Sequence, residues 1–171
     1  MFRFILASFI ATFSFGIAEA KAEGDEEKAI AEIERLGGVV SRGGQAPNRF
    51  VDRVYFLKKA INDEFRDAQL LLFRSFPKLR IFILQESHVT DAGLKQLEKH
   101  VALQYLHLGT CEITDDGLKE LRTLKNLSTL TLINTNITDA GLRRLKNLPK
   151  LRDLSLGSHQ ITDGGLKDFA R

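Results

Sequence analysis

The side chains that could carry chemistry in this chain are one cysteine, four histidines and a regularly spaced column of aspartates. The aspartates are Asp91, Asp115, Asp139 and Asp163, which recur every 24 residues. Paired carboxylates act as general acid and base when they face each other across a reacting group. Here each aspartate stands at the start of a predicted helix, where the helix dipole favours a negative charge. The spacing therefore favours a structural role for this column over acid–base catalysis.

The histidines and the cysteine do not form a recognisable reactive or metal-binding set. His88, His100, His107 and His159 fall at different positions relative to the aspartates, whereas a metal site needs ligands that converge. Cys111 has no histidine fixed beside it, so we predict a small buried hydrophobe rather than a reactive thiol. The sequence also lacks a glycine-rich phosphate loop, a G-x-S-x-G elbow and an H-E-x-x-H motif. We therefore predict no enzyme activity, no cofactor and no metal site.

These side chains are carried by four copies of one 24-residue unit. Each copy reads L-x-x-L-x-L or a close variant, followed by two inward-bending positions, then T-D-x-G-L and a final apolar residue. The copies begin at Leu79, Leu103, Leu127 and Leu151. A period in the range of about 20–29 residues with this leucine spacing is typical of a repeat that stacks on its neighbours to bury a shared core.

Each unit predicts a short strand followed by a short helix. Leu106 and Leu108 alternate with Tyr105 and His107, which predicts a strand with the leucines facing inward. The Thr or Asp of T-D-x-G-L can cap the helix that follows. Each aspartate is followed four residues later by Lys or Arg, which predicts an ion pair along the helix.

On these residues the chain resembles leucine-rich repeat proteins, and in particular the cysteine-containing subtype with the I-T-D-x-G-L phrase, in a short exported bacterial-type protein. The four clear copies cover residues 79–171. The resemblance implies an α/β leucine-rich repeat solenoid with a concave parallel β-sheet and short convex helices. It also implies a protein-binding role without catalysis, but the binding residues do not transfer because they differ between members.

Residues 1–20 are predicted to be a signal peptide. Arg3 precedes an uncharged run over 4–18, and Ala18-Glu19-Ala20 fits a small-x-small cleavage site. An uncleaved anchor is the alternative, although the run is shorter than the about 20 residues that span a bilayer. We therefore expect an exported protein (periplasmic, cell-surface or secreted) with no stable membrane span. The net charge of +3 is spread along the sequence and gives little reason to expect nucleic acid or a membrane surface as partner.

Residues 21–48 are predicted to hold an N-terminal capping helix and a loop. Ile30, Ile33 and Leu36 share one helix face, and Gly37-Gly38 would end the helix. A short strand is expected at 39–40. Residues 49–171 are predicted to form the repeat domain, with one degenerate repeat before the four regular ones. In the degenerate repeat the strand half lies about four residues too early, so we expect an insertion around 58–64.

A protein partner of unknown identity is expected on the outward strand positions of the concave face. An apolar cluster with a tyrosine at positions where polar residues would serve equally well is typical of a protein contact. The predicted contact residues are Ile81, Ile83, Tyr105, His107, Thr129, Thr131, Ile133 and Asp153. The alternative for Ile81 and Ile83 is that the irregular first repeat or its inserted loop covers them. Because four strands span only about 15–20 Å, we expect a small, weak contact surface.

Two classes of function remain open from the sequence. The first is an exported protein–protein interaction module, a scaffold or adaptor without catalysis. The second is a carbohydrate or cell-envelope ligand-binding protein that uses the same face. Self-association through the C-terminal repeat is also expected, because the strand at Leu154 would be a sheet edge with unpaired backbone groups.

Overall fold

The computed structural model describes residues 24–57, 65–157 and 160–170. The predicted signal peptide, the insertion expected around 58–64, and His159 lie outside these described residues. All statements below refer to the described part of the chain.

The first described element is a helix, α1, over residues 24–35. Ile33 and Leu36 are fully buried in the main core. Gly37 has a φ of 83°, and the Gly38 N–H donates to the Ile33 carbonyl at 2.8 Å while the Gly37 N–H donates to Glu34. This pair of bonds is the Schellman arrangement, which ends a helix at a glycine in the left-handed region. The apolar face of α1 therefore lies against the core as a terminal cap would.

The strands form one six-stranded sheet whose order follows the chain. They are β1 (Val39–Gly43), β2 (Phe50–Phe56), β3 (Ile81–Gln85), β4 (Tyr105–Gly109), β5 (Thr129–Ile133) and β6 (Asp153–Gly157). Strands β2 to β6 are parallel, but β1 is antiparallel to β2. The repeat strands thus form the parallel sheet expected from the sequence. Strand β1 precedes the repeats, and the chain returns from it to β2 through a short loop that only an antiparallel pair permits.

Short helices lie on the other side of the repeats and follow the T-D-x-G-L phrases. They are α2 (Asp91–Leu94, continued by a 3₁₀ turn Lys95–Leu97), α3 (Asp115–Leu118, continued by Lys119–Thr123), α4 (Asp139–Leu145) and α5 (Asp163–Ala170). In the degenerate repeat a 3₁₀ helix, Asp67–Ser75, occupies the same place. A 24-residue repeat leaves room for only one or two helical turns, and 3₁₀ geometry is common at such helix ends.

The core is filled from both sides by the repeated apolar positions. In the central repeats Leu106, Leu108, Leu130 and Leu132 are completely buried. At the N-terminal end phenylalanine replaces leucine, and the Phe73 and Phe82 rings lie 4.5 Å apart between centroids. These larger side chains fill the space where the first repeat departs from the regular pattern.

The last repeat is less well covered than the central ones. Leu154, Leu156, Ile161 and Phe169 are partly buried, and Leu166 is 44% exposed. The corresponding side chains of the preceding repeats are buried. Stacking on one neighbour therefore buries only part of the apolar skeleton of a repeat, as a one-dimensional array predicts.

Candidate functional site

The outward side chains of the sheet form rows that run across the strands. Cα partners in the first row are Arg53, Ile81, Tyr105, Thr129 and Asp153, one from each parallel strand. The parallel register repeats with no slip from β3 to β6, because inward leucines at the alternating positions fix it. The row therefore changes from basic, through apolar and aromatic, to acidic across the face.

The second row begins on β1 and adds residues that the sequence reasoning did not include. It is made of Val39, Tyr55, Ile83, His107, Thr131 and Ser155. Val39 is 55% exposed, and Tyr55 is half-buried between Val39 and Ile83. Val39 and Tyr55 were not among the residues predicted from the sequence, because β1 and β2 do not follow the 24-residue period and their register with β3 could not be deduced from it.

Together these rows define an apolar patch, formed by Val39, Tyr55, Ile81, Ile83 and Tyr105. It includes both tyrosines of the chain. With six strands instead of four, the sheet spans about 24 Å across the strands. The width of the face expected from four strands was therefore underestimated, because β1 and β2 extend the sheet.

The predicted contact residues are not equally available. Ile81, Ile83, Tyr105 and His107 are half-buried neighbours, so the described residues leave them partly accessible. Ile133 is 39% exposed in a third row with Gln85 and Gly109.

Besides Ile133, three of the predicted contact residues lie on β5 and β6. Thr131 is only 6% exposed and offers little contact area. The Thr129 hydroxyl donates to Asp153 at 3.4 Å at the far side of the face. Apart from Ile133, the available apolar area is thus concentrated on β1 to β4.

His107 lies between the apolar patch and a shallow hollow of about 200 Å³. The hollow is also lined by Gln85, Glu86, Gly109, Thr110 and Ile133. A side chain at Gly109 would place its Cβ 2.9 Å from His107 Nε2, so the glycine lets the imidazole lie along the strand. Partial burial lowers the pKa of His107, because the charged imidazole would lose solvation. The ring therefore stays neutral to lower pH than a free histidine.

A turn in the left-handed region follows each of the strands β3, β4 and β5. Glu86, Thr110 and Asn134 have φ values of 55°, 54° and 54°. Each residue donates its N–H to the last carbonyl of the next strand, for example Thr110 to Ile133 at 2.7 Å. Of the three residue types, only asparagine commonly adopts this conformation. The left-handed turns at Glu86 and Thr110 therefore could not be predicted from the sequence.

The aspartate column has a different role from the one predicted. Asp115 does not serve an ion pair along its own helix: it accepts the Thr138 N–H at 2.8 Å and the Thr138 hydroxyl at 2.6 Å from the next repeat. The hydroxyl of Thr138 in turn accepts the Ala140 N–H and caps α4. Asp115 therefore does not form the predicted i,i+4 ion pair with Lys119, because its carboxylate is aimed at the neighbouring repeat rather than along the helix surface.

The same bonds recur through the array, and we call them the Asp–Thr ladder. Its four steps are Asp67 to Thr90, Asp91 to Thr114, Asp115 to Thr138 and Asp139 to Thr162. Hydrogen bonds from Thr162 lower the pKa of Asp139, and Arg143 adds a smaller effect. The ladder thus links each helix start to the repeat before it.

The ladder also explains the glycine in T-D-x-G-L. A Cβ at Gly141 would lie 2.2 Å from Asp115 Oδ1, and Gly93, Gly117 and Gly165 show the same close approach to the preceding aspartate. In the degenerate repeat the position is Gln69, whose side chain accepts the Arg66 N–H at 3.0 Å. Position 43, which is 24 residues before Asp67, is a glycine and not an aspartate. Position 69 therefore has no preceding ladder carboxylate that would require a glycine.

Cys111 and two of the histidines have structural environments. Burial raises the pKa of the Cys111 thiol, which lies 3.4 Å from the Ser87 hydroxyl. His100 is buried, and its Nε2 donates to the Phe73 carbonyl at 2.8 Å. His88 is exposed and lies 3.3 Å from a Glu112 carboxylate oxygen. Within ranges 24–57, 65–157 and 160–170, no three potential metal ligands cluster together.

A membrane-spanning helix is also missing from the described part of the chain, where no helix is both long enough and apolar enough.

Comparison with known families agrees with the repeat pattern. A family model described as leucine-rich repeat matches residues 102–121 and 147–170. No curated protein matches the chain. Leucine-rich repeat proteins are typically non-enzymatic binding modules, and the fold generally mediates protein–protein interaction.

Two solved structures share the fold. An internalin (inlF) from Listeria monocytogenes aligns with a TM-score of 0.51 and 22% identity, over 59% of this chain and 29% of the internalin. The leucine-rich repeat ectodomain of the receptor kinase SOBIR1 from Arabidopsis thaliana aligns with a TM-score of 0.50 and 13% identity, over 80% of this chain and 94% of that one. With the parallel strands, the short helices and the 24-residue period, these matches identify the fold as a leucine-rich repeat solenoid.

Proposed function

We propose that this chain is an exported protein-interaction module that binds a partner protein through the concave face. The observation that supports the proposal best is the apolar patch of Val39, Tyr55, Ile81, Ile83 and Tyr105. In a monomer, polar residues at these outward positions would leave the core unchanged, as Thr129 and Ser155 show on the neighbouring strands. Large apolar and tyrosine side chains grouped in this way are typical of the central part of a protein interface.

The charges at the two ends of the first row would orient a bound partner. Arg53 stands at one side of the first row and Asp153 at the other. A partner with an apolar centre flanked by an acid and a base would match this order, and complementary charge chiefly fixes register and association rate.

Binding to a carbohydrate or cell-envelope ligand would use the same two tyrosines. A sugar-binding site needs hydrogen-bonding groups around an aromatic platform. On the sheet, however, Tyr55 lies between Val39 and Ile83, and Tyr105 has Ile81 on one side with Thr129 as its one polar neighbour across the strands. The apolar surroundings favour the protein partner, and the glycan becomes an outcome of the test.

Site-specific photo-crosslinking in the producing cell tests the concave site. Tyr105 is replaced by p-benzoylphenylalanine, and Arg143 on the outer helices is replaced in the same way as a matched control. We expect a discrete protein adduct from position 105 and none from position 143. Adducts of equal yield from both positions, or an adduct that glycosidases remove, would count against the proposal.

Export is tested separately by the intact mass of the protein recovered from the producing cell. The proposal rests on Arg3, the uncharged run over 4–18 and the Ala18-x-Ala20 site. The expected mature chain begins at Lys21 or two residues later. A full-length species confined to the cytosol would contradict export while leaving the concave-face proposal intact.

A further inference from the structure

The fold separates charges that are mixed in the sequence. The segments that lead from each helix into the next strand carry nine cations and one acid, Glu98. The cations are Arg74, Lys78, Arg80, Lys99, Arg122, Lys125, Lys146, Lys150 and Arg152. Because β3 to β6 are parallel, these segments all lie at the same edge of the solenoid, which we call the basic edge.

The opposite edge has the reverse composition. The segments that follow the strands, over 86–92, 110–116, 134–140 and 160–164, contain acids and no Lys or Arg. The acids are Glu86, Asp91, Glu112, Asp115, Asp116, Asp139 and Asp163. Three of these aspartates belong to the Asp–Thr ladder, so the fold itself requires acid at this edge. The cations at the basic edge have no comparable structural role, apart from the favourable position of a cation near the C-terminal end of a helix.

The basic edge is exposed, and its long side chains rest mainly on neutral groups. Lys150 Nζ donates to Asn126 Oδ1 at 2.7 Å, and Lys125 Nζ donates to the Asn147 carbonyl at 3.1 Å. Arg80 donates to Gln104 at 3.2 Å and lies 4.0 Å from the Asp52 carboxylate. These contacts hold the cations in a row while leaving most of their charge without a counter-ion.

An apolar side chain stands in the middle of this row of cations. Val101 is 55% exposed, and the equivalent positions of the flanking repeats are Pro77, Lys125 and Pro149, all exposed. Phosphates of a nucleic acid would engage the cations but leave Val101 in water. Among the described residues of this edge, no exposed aromatic side chain offers a stacking platform for bases. A bilayer interface satisfies both features, because it accepts an apolar side chain between anionic headgroups.

We propose that the basic edge binds the surface of an anionic phospholipid bilayer. Val101 enters the headgroup boundary, while Lys78, Lys125 and Lys150 contact the phosphates on either side of it. Since this edge lies at the N-terminal ends of the strands, binding sets the strands along the bilayer normal. The concave face then opens sideways and the acidic edge points away from the lipid, so a partner could still reach the apolar patch.

A single engineered tryptophan reports on the edge directly, because the chain contains none. We compare Val101→Trp with Asn136→Trp, an exposed position on the acidic edge. The full chain is mixed with vesicles of equal parts phosphatidylcholine and phosphatidylglycerol, and with vesicles of phosphatidylcholine alone. We expect a blue shift of the emission at position 101 with the anionic vesicles and no shift at position 136. Residues 1–20 are identical in both variants, so lipid binding through that segment cannot produce the difference.

Charge-matched variants test the cations in the Val101→Trp background. One set carries Lys78→Gln, Lys125→Gln and Lys150→Gln on the basic edge, and the control set carries Lys119→Gln, Arg143→Gln and Lys167→Gln on the outer helices. A cation near an anionic surface contributes about fivefold to partitioning, so the first set should bind about a hundredfold more weakly. The control set should change binding by no more than about threefold. Both sets are compared by thermal unfolding, and folded variants are required for the comparison.

Three results would overturn the proposal. The first is a blue shift of equal size with neutral vesicles, which would remove the role of the charge. The second is an equal response at positions 101 and 136, which would remove the role of this edge. The third is tight binding of soluble polyphosphate through the same three lysines without a response to vesicles, which would assign the edge to a soluble polyanion.

Discussion

The Asp–Thr ladder and the concave face are built on the same repeats but follow opposite rules. Along the ladder the residue type is constant, because Asp115, Thr138 and Gly141 must fit one another across two repeats. On the concave face the residue type changes at every strand, from Ile81 to Tyr105 to Thr129 in one row. The difference shows that neighbour contacts fix one side of the solenoid and leave the other free to vary. Changes in the ladder should therefore act on stability, and changes in the concave face on binding.

The largest loss of stability is expected from Gly141→Ala. The new Cβ would lie 2.2 Å from Asp115 Oδ1, so the carboxylate must move away from Thr138. Steric strain and the two lost hydrogen bonds should together cost about 3 kcal/mol. Urea unfolding measures the change. The control is the same Gly141→Ala change in an Asp115→Ala background, where the carboxylate no longer approaches. A similar further loss there would mean that the glycine serves helix geometry and not the ladder.

A smaller loss is expected from Asp115→Ala. It removes both acceptors of Thr138, and the part-buried Thr138 N–H loses its partner. An unsatisfied group of this kind costs about 1–3 kcal/mol. The neighbouring change Asp116→Ala breaks an exposed pair with Arg144 and should lower the stability clearly less than Asp115→Ala. If the urea midpoints of the two variants fall by the same amount, the ladder contributes nothing special.

Thr110→Asn should stabilise the protein by about 1 kcal/mol. Threonine at a φ of 54° is strained because its β-branched side chain crowds the backbone, whereas asparagine tolerates this region. The reverse change, Asn134→Thr, should destabilise by a similar amount. Thermal unfolding of both variants decides, and a loss of stability in Thr110→Asn would show that the Thr110 side chain makes contacts of greater value than the strain.

The ladder should also make stability depend on acid. The pKa of Asp139 is lowered in the folded state by its hydrogen bonds from Thr162. Below the ordinary aspartate pKa of about 3.9 the unfolded chain takes up a proton first, so this contribution is present above that pH and is lost as the pH falls through the folded-state pKa. Asp139→Asn should flatten the decline in the urea midpoint on acidification below about pH 4. An unchanged decline would place the acid-sensitive group elsewhere.

Sequence patterns were sufficient for the solenoid but not for the connections between repeats. The period placed β3 to β6 and the helix starts correctly, since each depends on local alternation and capping. The ladder was missed because Asp115 and Thr138 are 23 residues apart, and Lys119, four residues after Asp115, offered a simpler local explanation. The sequence did contain a clue. Each aspartate that has another aspartate 24 residues before it is followed two residues later by glycine, whereas Asp67, which has none before it, is followed by Gln69.

Two further features depend on the three-dimensional arrangement of the chain. Val39 and Tyr55 join the apolar patch because β1 pairs with β2 in antiparallel register, which no 24-residue period encodes. The basic edge forms because parallel strands collect segments that are separated in sequence by acidic ones. A net charge of +3 therefore gave no sign of it. In both cases the sequence identifies the residues but does not tell which other residues lie beside them in the fold.

The smallest effect on stability is expected on the concave face, where the comparison is sharpest. Tyr105 and His107 are half-buried on the outward side of β4, and replacing both with serine leaves the inward Leu106 and Leu108 in place. We expect the thermal midpoint to change little and partner capture to be lost, because the double change removes the tyrosine that β4 contributes to the apolar patch. The matched change of Lys119 and Arg143 to serine on the outer helices should preserve both properties. Because burial lowers the pKa of His107, any change in capture caused by its protonation should begin at a lower pH than for a free histidine. A fall in capture from both pairs of changes would show that the partner does not distinguish the two sides, and the division between a stabilising ladder and a binding face would then not hold.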